Sequence, residues 1–238
     1  MLRRLLIFMA AMASVFAAFA AKQTDSYARP DFAFPTKVSS DARAMLGKAL
    51  ADDNGRLALR ALINLSISLT DVDPDSAATV IADCRRAAAA LSHPADKALT
   101  NLLTAKIYHT LFKQDSWKYL QRKQPAAPTS DYKLWSGTQW RDTITALVDS
   151  AVARPDALAS VSLAKYSKVI SVDSRIADMY PSVLDFVADQ ATGMLSRIGD
   201  IDMLPVRLIC PWNDFMTMRI TLSKPAAQRI LDIYSIIR

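Results

Sequence analysis

Two stretches near the middle of the chain, "DVDPDSAATVIADCRRAAAALS" and "SHPADKALTNLLTAKIYHTLF", set the strongest constraint on the fold. Each opens with a polar residue and a proline and continues with apolar residues at helical spacing. Proline suits the first position of a helix, where its missing N–H is not needed, and a polar side chain before it can accept a bond from the free N–H groups. The first stretch predicts a helix opened by Asp73, Pro74 and Asp75, with Val80, Ile81, Cys84, Ala88 and Leu91 on one face. The second predicts a helix capped by Ser92 or His93, with Pro94 at its start. Leu99, Leu102, Leu103, Ile107, Tyr108 and Leu111 give it an apolar face broad enough to be buried on two sides. With only 5 glycines in 238 residues, neither glycine-rich ligand loops nor a turn-dense barrel fits.

The same grammar recurs along the chain. A helix is expected over "DARAMLGKALAD", capped by Ser39 or Ser40. A second covers "RLALRALINLSISL", with Leu59, Leu62, Ile63, Ser66 and Ile67 on one face, and "DNG" turns one back on the other. Later helices are expected from Thr138 (Trp140, Ile144, Leu147, Val148, Val152), over "PDALASVSLAKYSKVI", and from Pro181 (Leu184, Val187, Ala188, Ala191, Met194, Leu195). Residues 200–222 read as a short strand or a loop, and a last helix follows Ser223 and Pro225. The sum is an all-α fold, an irregular array of antiparallel helical hairpins with seven to nine helices.

Residues 1–20 read as a signal peptide. Arg3 and Arg4 precede an apolar run, and Ala18-Phe19-Ala20 is a small-x-small cleavage site. An uncleaved anchor is the alternative and would be the chain's one route to a membrane. Residues 21–38 form an irregular segment broken by Pro30 and Pro35, docked through Tyr27, Phe32 and Phe34. Residues 39–238 form the helical domain. The chain ends at Arg238 still on an apolar pattern, which predicts a fragment whose Ile230, Ile233, Ile236 and Ile237 form an exposed face for a following domain. Export leaves the pairing of Cys84 with Cys210 open, since Cys84 also suits a buried stripe.

Little points to chemistry. The formal charge of +6 falls to +4 without the leader, too small an excess for a nucleic-acid binder. His93 reads as a cap, and His109 has no carboxylate at helical spacing to hold a tautomer. Asp185 and Asp189 share a helix face near Asp178. Asp185, flanked by Leu184 and Phe186, reads as a half-buried structural carboxylate accepting from a Tyr, Trp or Arg. No nucleophile elbow, metal-binding pair or phosphate loop occurs, so neither a catalytic residue, a metal nor a cofactor is expected.

The aromatic concentration is the exception. "SWKYLQRKQP" and "DYKLWSGTQW" bring together Trp117, Tyr119, Arg122, Asp131, Tyr132, Trp135 and Trp140 around a Pro-containing connection. They read as a packed corner whose indole N–H groups meet loop carbonyls and whose Arg122 and Asp131 pair across the loop. A stacking platform for a glycan or peptide is the alternative.

Phe34-Pro35, Arg122, Asp131-Tyr132, Trp135 or Trp140, and Pro181 with Leu184-Asp185-Phe186 also carry a resemblance. Over about residues 24–238 the chain resembles the helical N-terminal region of the large secreted alpha-2-macroglobulin-like proteins of Bacteroidota. The resemblance implies a place in the cell envelope and in a protease-trapping system, with adjacent macroglobulin-type domains or an envelope protein as partners. It brings no trapping chemistry, because Cys84 is followed by Arg-Arg and Cys210 by Pro-Trp, neither matching the family's thioester. The expected function is therefore a non-catalytic interaction module. A stand-alone glycan- or peptide-binding module and a hydrolase are the rival expectations.

Overall fold

A computed structural model describes Tyr27, residues 30–70, 76–123, 129–172 and 177–198, and two four-residue strands. The signal-peptide reading, the Asp73-Pro74-Asp75 helix start, Cys210, the last helix and its isoleucines all lie outside the described residues.

The helical body is all-α, with eight α-helices among the described residues: α1 Pro35–Ala51, α2 Gly55–Thr70, α3 Ala77–Ala90, α4 Pro94–Gln114, α5 Ser116–Leu120, α6 Gly137–Val152, α7 Pro155–Ala159 and α8 Val183–Ile198. Single-turn 3-10 segments at Tyr132–Leu134, Leu163–Tyr166 and Ala177–Met179 shape the connections. Within 200–222, β1 (Leu204–Arg207) and β2 (Arg219–Leu222) pair antiparallel, Leu204 opposite Leu222.

Helix α4 is the hub. It packs on α2 and α3 on one side and on α5, α6, α7 and α8 on the other. One apolar core joins α1, α2 and α3 through Leu46, Leu62, Leu65, Val80 and Cys84. The second joins α4, α6, α7 and α8 through Leu99, Trp140, Ile144, Leu158 and Val187. Leu103 and Ile107 of α4 touch both cores, as a helix apolar on two sides must. His93 caps α4 as expected, its Nδ1 accepting from the Ala95 N–H at 3.3 Å.

Several details depart from the sequence reading. Helix α1 begins at Pro35, inside the segment expected to be irregular, because proline at the first position starts a helix as readily as it ends one. Ser39 is then no cap; it is buried one turn into α1, its hydroxyl donating to the Thr36 carbonyl. Tyr27 docks between the cores, but Phe34 is exposed. On α2, Ile67 is exposed and the buried face is carried by Ala58, Ala61, Leu62 and Leu65. On α3, Ala87 rather than Ala88 is buried. Helix α8 opens at Val183 rather than at Pro181, with the hydroxyl of Ser182 at its cap.

The "DNG" turn divides its work among three residues. Asp53 takes the left-handed conformation, φ 47°, and its carboxylate accepts from the Ser92 N–H at 2.9 Å and from the Ser92 hydroxyl, which hold its pKa below the usual value. Asn54 caps α2, accepting from the Leu57 N–H at 3.2 Å. Gly55 is there for room: a Cβ on it would lie 2.0 Å from Asp96 Cγ. Asp96 in turn accepts a 2.6 Å bond from the Tyr166 hydroxyl. Burial, then this bond, pushes the Tyr166 phenol far above its ordinary range. Asp96, packed against Gly55 at the start of α2, thus ties the start of α4 to the segment after α7.

Candidate functional site

The aromatic corner is built on Trp140, one turn into α6 and wholly buried. A reciprocal capping box sets its direction. The Ser136 hydroxyl accepts from the Gln139 N–H at 3.4 Å, and the Gln139 side chain accepts from the Ser136 N–H at 3.0 Å. Five rings close around the indole. Tyr119 is nearest at 4.9 Å between centroids, then Trp135 at 5.4 Å and Tyr132 at 5.6 Å. Tyr108 and Phe112 of α4, at 5.8 and 5.9 Å, complete the shell. Such tilted and edge-on pairs contribute about 0.5–1.5 kcal/mol each beyond their burial.

The loop is fixed from outside. Asp131 accepts from the Lys133 N–H at 3.0 Å and so caps the 3-10 turn Tyr132–Leu134. The Trp135 indole N–H donates to the Thr129 carbonyl at 2.8 Å. Arg122 lies over the Tyr119 ring, 5.6 Å from its centroid, and donates to the Lys133 carbonyl. That joins the end of α5 to the 3-10 turn. Gly137 lets α5 approach α6, since a Cβ there would lie 2.9 Å from Leu120 Cδ2. Arg85 donates to the Tyr108 hydroxyl at 3.0 Å from the α3 side. Burial raises the pKa of both Tyr108 and Tyr119, so these phenols stay neutral.

Three expectations are corrected. Arg122 and Asp131 do not pair: the guanidinium takes the Lys133 carbonyl and the carboxylate the Lys133 N–H two residues on. The Trp140 N–H meets no loop carbonyl and is buried without a partner, because aromatic faces surround it. Trp117 is not part of the packed corner, being 66% exposed.

Tyr119, Tyr132, Trp135 and Trp140 therefore face inward, and the corner's outer surface is carried by other side chains. Trp117 points outward from α5, Leu120 is half open beside Gly137, and Leu134, 53% exposed, points outward from the 3-10 turn. Leu120 and Leu134 were not legible as surface residues, since nothing in "SWKYL" or "DYKLW" says which apolar side chain turns in. Tyr108 and Phe112 were missed as members of the cluster, although their i, i+4 spacing on α4 signals a shared face.

The acidic residues on α8 do structural work. Ser182 donates from its N–H to Asp185 at 3.0 Å and from its hydroxyl at 2.6 Å, a capping arrangement. Asp185 thus accepts from its own helix cap rather than from a Tyr, Trp or Arg. Asp189 accepts from the Tyr180 hydroxyl at 3.0 Å, and Asp178 stands exposed on the 3-10 turn before α8. Phe186 meets the Tyr180 ring edge-on at 5.9 Å. His109 is buried against α8, and burial followed by the charges of Lys113, Arg197 and Lys106 lowers its pKa. Cys84 is a buried free thiol whose pKa burial raises to about 12. Among the described residues, no group of three or more His, Cys, Asp or Glu side chains is placed to hold a metal ion, and no helix is long and apolar enough to cross a membrane.

No protein-family model, no curated protein and no solved structure matches this chain.

Proposed function

We propose that this chain is a non-catalytic helical interaction module of an exported alpha-2-macroglobulin-like protein, working by contact in the cell envelope. The observation that carries the reading is the division of the corner into two layers. Inside, five rings pack around Trp140; outside, the same backbone presents Trp117, Leu120 and Leu134 to solvent. Large apolar side chains exposed on a braced base are the mark of a contact surface, because the rigid base leaves little side-chain and loop entropy to lose on docking. The sequence resemblance supplies the setting, with neighbouring macroglobulin-type domains or an envelope protein as partners. A glycan or peptide platform fits less well, since stacking needs several open ring faces and only Trp117 of the corner's aromatics offers one.

The test is fractionation of cells carrying the full chain or its Trp117→Ala/Leu134→Ser variant. Both substituted side chains are exposed, so the near-UV circular dichroism of the inner cluster should be unchanged. The reading expects the wild type with the envelope and the variant released from it. A variant that partitions like wild type, or a wild type found only in the soluble fraction, overturns it.

A further inference from the structure

The corner's exposed surface has a second property besides its apolar side chains. Trp117, Leu120 and Leu134 are 66%, 44% and 53% exposed. Lys118, Lys123 and Lys133 are exposed beside them, and Arg122 is half-buried between α5 and the 3-10 turn. The two acidic groups of the same stretch are Asp115, at the start of α5, and Asp131, whose carboxylate already accepts the Lys133 N–H. The exposed side chains of this stretch are thus a mixture of large apolar and cationic groups.

Resting on the reading of this corner as a contact surface, we infer that its occupant is an anionic lipid surface, in place of the protein partner that the resemblance implies and as a route to the membrane besides the leader. The cation chemistry decides between a bilayer and a protein. Protein interfaces favour arginine and are depleted in lysine, whereas here three of the four cations are lysines. At a bilayer, lysine stems lie along the apolar boundary and their ammonium groups reach the phosphates. Tryptophan is the side chain most at home at that boundary, with its ring among the acyl carbons and its N–H toward the headgroups. The inner layer holds the geometry: Tyr119 points into the cluster, Trp117 points away from it, and Leu120, with its Cδ2 against Gly137, keeps part of its side chain open to solvent. Arg122 locks α5 to the 3-10 turn, so Leu134 is held beside them. The face therefore meets a membrane without having to fold on it.

The experiment is flotation of the purified full chain with two kinds of vesicle, phosphatidylcholine alone and phosphatidylcholine containing phosphatidylglycerol. Each basic residue near an anionic surface is worth about a fivefold gain in partition. The expected result is flotation with the anionic vesicles only, weakened by added salt, which screens the attraction. Lys118→Gln/Lys123→Gln should lower partition about 30-fold on the same scale. Trp117→Ala should lower it as well, with the near-UV spectrum retained in each variant. Equal flotation with both vesicles, or variants that float like wild type, overturns the inference by placing membrane contact elsewhere in the chain. Absence of flotation, with the Trp117→Ala/Leu134→Ser variant still released from the cell envelope, also overturns it. That last outcome assigns the corner to a protein partner and leaves its reading as a contact surface standing.

Discussion

Replacing Gly55 with alanine should destabilise the protein, although the same change at the start of an ordinary helix is neutral or helpful. Gly55 has no positive φ, so backbone strain does not forbid a side chain. Alanine is favoured over glycine inside helices by up to about 1 kcal/mol, and less at the first position. Against that gain stands contact. The new Cβ would lie 2.0 Å from Asp96 Cγ and 2.4 Å from Asp96 Cβ, where carbon atoms rest at about 3.5–4.0 Å. The close atoms include the root of the Asp96 side chain, so a rotamer change alone does not clear them. Asp96 must move, and its 2.6 Å bond from the Tyr166 hydroxyl is lost or stretched. A hydrogen bond to a charged group is worth about 1.5–3 kcal/mol. The net loss is then about 2 kcal/mol, or a fall in Tm of roughly 4–8 °C for a domain of this size. The assay is a double-mutant cycle by chemical denaturation, with Gly55→Ala, Asp96→Ala and both together. In the Asp96→Ala background the alanine at 55 should cost clearly less, because the Cγ contact and the Tyr166 bond are gone while the 2.4 Å approach to the Cβ at 96 remains. A Gly55→Ala protein as stable as wild type, or one equally destabilised in both backgrounds, would rule out the Asp96 contact as the cause.

Trp140→Ala should cost about 3–5 kcal/mol and abolish the near-UV signal of the corner, while Trp140→Phe should cost much less, since it also removes an N–H that has no acceptor; denaturant titration of the two variants checks the order. His109 makes acid stability steeper: its folded pKa lies below the unfolded value near 6.5, so the unfolded chain takes up the proton first. Its contribution is present above that pH and lost as the pH falls below it, and His109→Leu should lose less stability than wild type between about pH 7 and 5. Cys84 should resist alkylation in the native protein at neutral pH and react on unfolding, read as mass added to its peptide, because burial raises its pKa to about 12.

What was legible in the sequence follows a physical line. Stripes and caps are local, so α4, its His93 cap and its two buried sides could be read from spacing alone. Pro35 misled because one proline serves equally to break a segment or to open a helix, and only the packing of Val38 and Ala42 decides which. The boxes at Ser136 with Gln139 and Ser182 with Asp185 were written locally, polar residues three apart before apolar runs, and would have placed both helix starts. The bond between Asp96 and Tyr166 spans 70 residues, and no local pattern announces it. The corner lies between these cases. Its aromatic density marked a packed cluster, yet the inward turn of Tyr119 and the outward turn of Trp117 depend on how α5 meets α6. That meeting is set by Gly137 and by Arg122 reaching the Lys133 carbonyl, contacts made only in the fold.

The outer face of the corner is proposed as the surface through which this protein touches its surroundings. Hydrogen exchange of the full chain, with and without envelope fragments, tests it at the level of individual segments. Slowed exchange confined to Ser116–Leu120 and the Tyr132–Leu134 turn, with α1 to α3 unchanged, is the predicted result. Protection elsewhere with the corner unaffected would contradict the account.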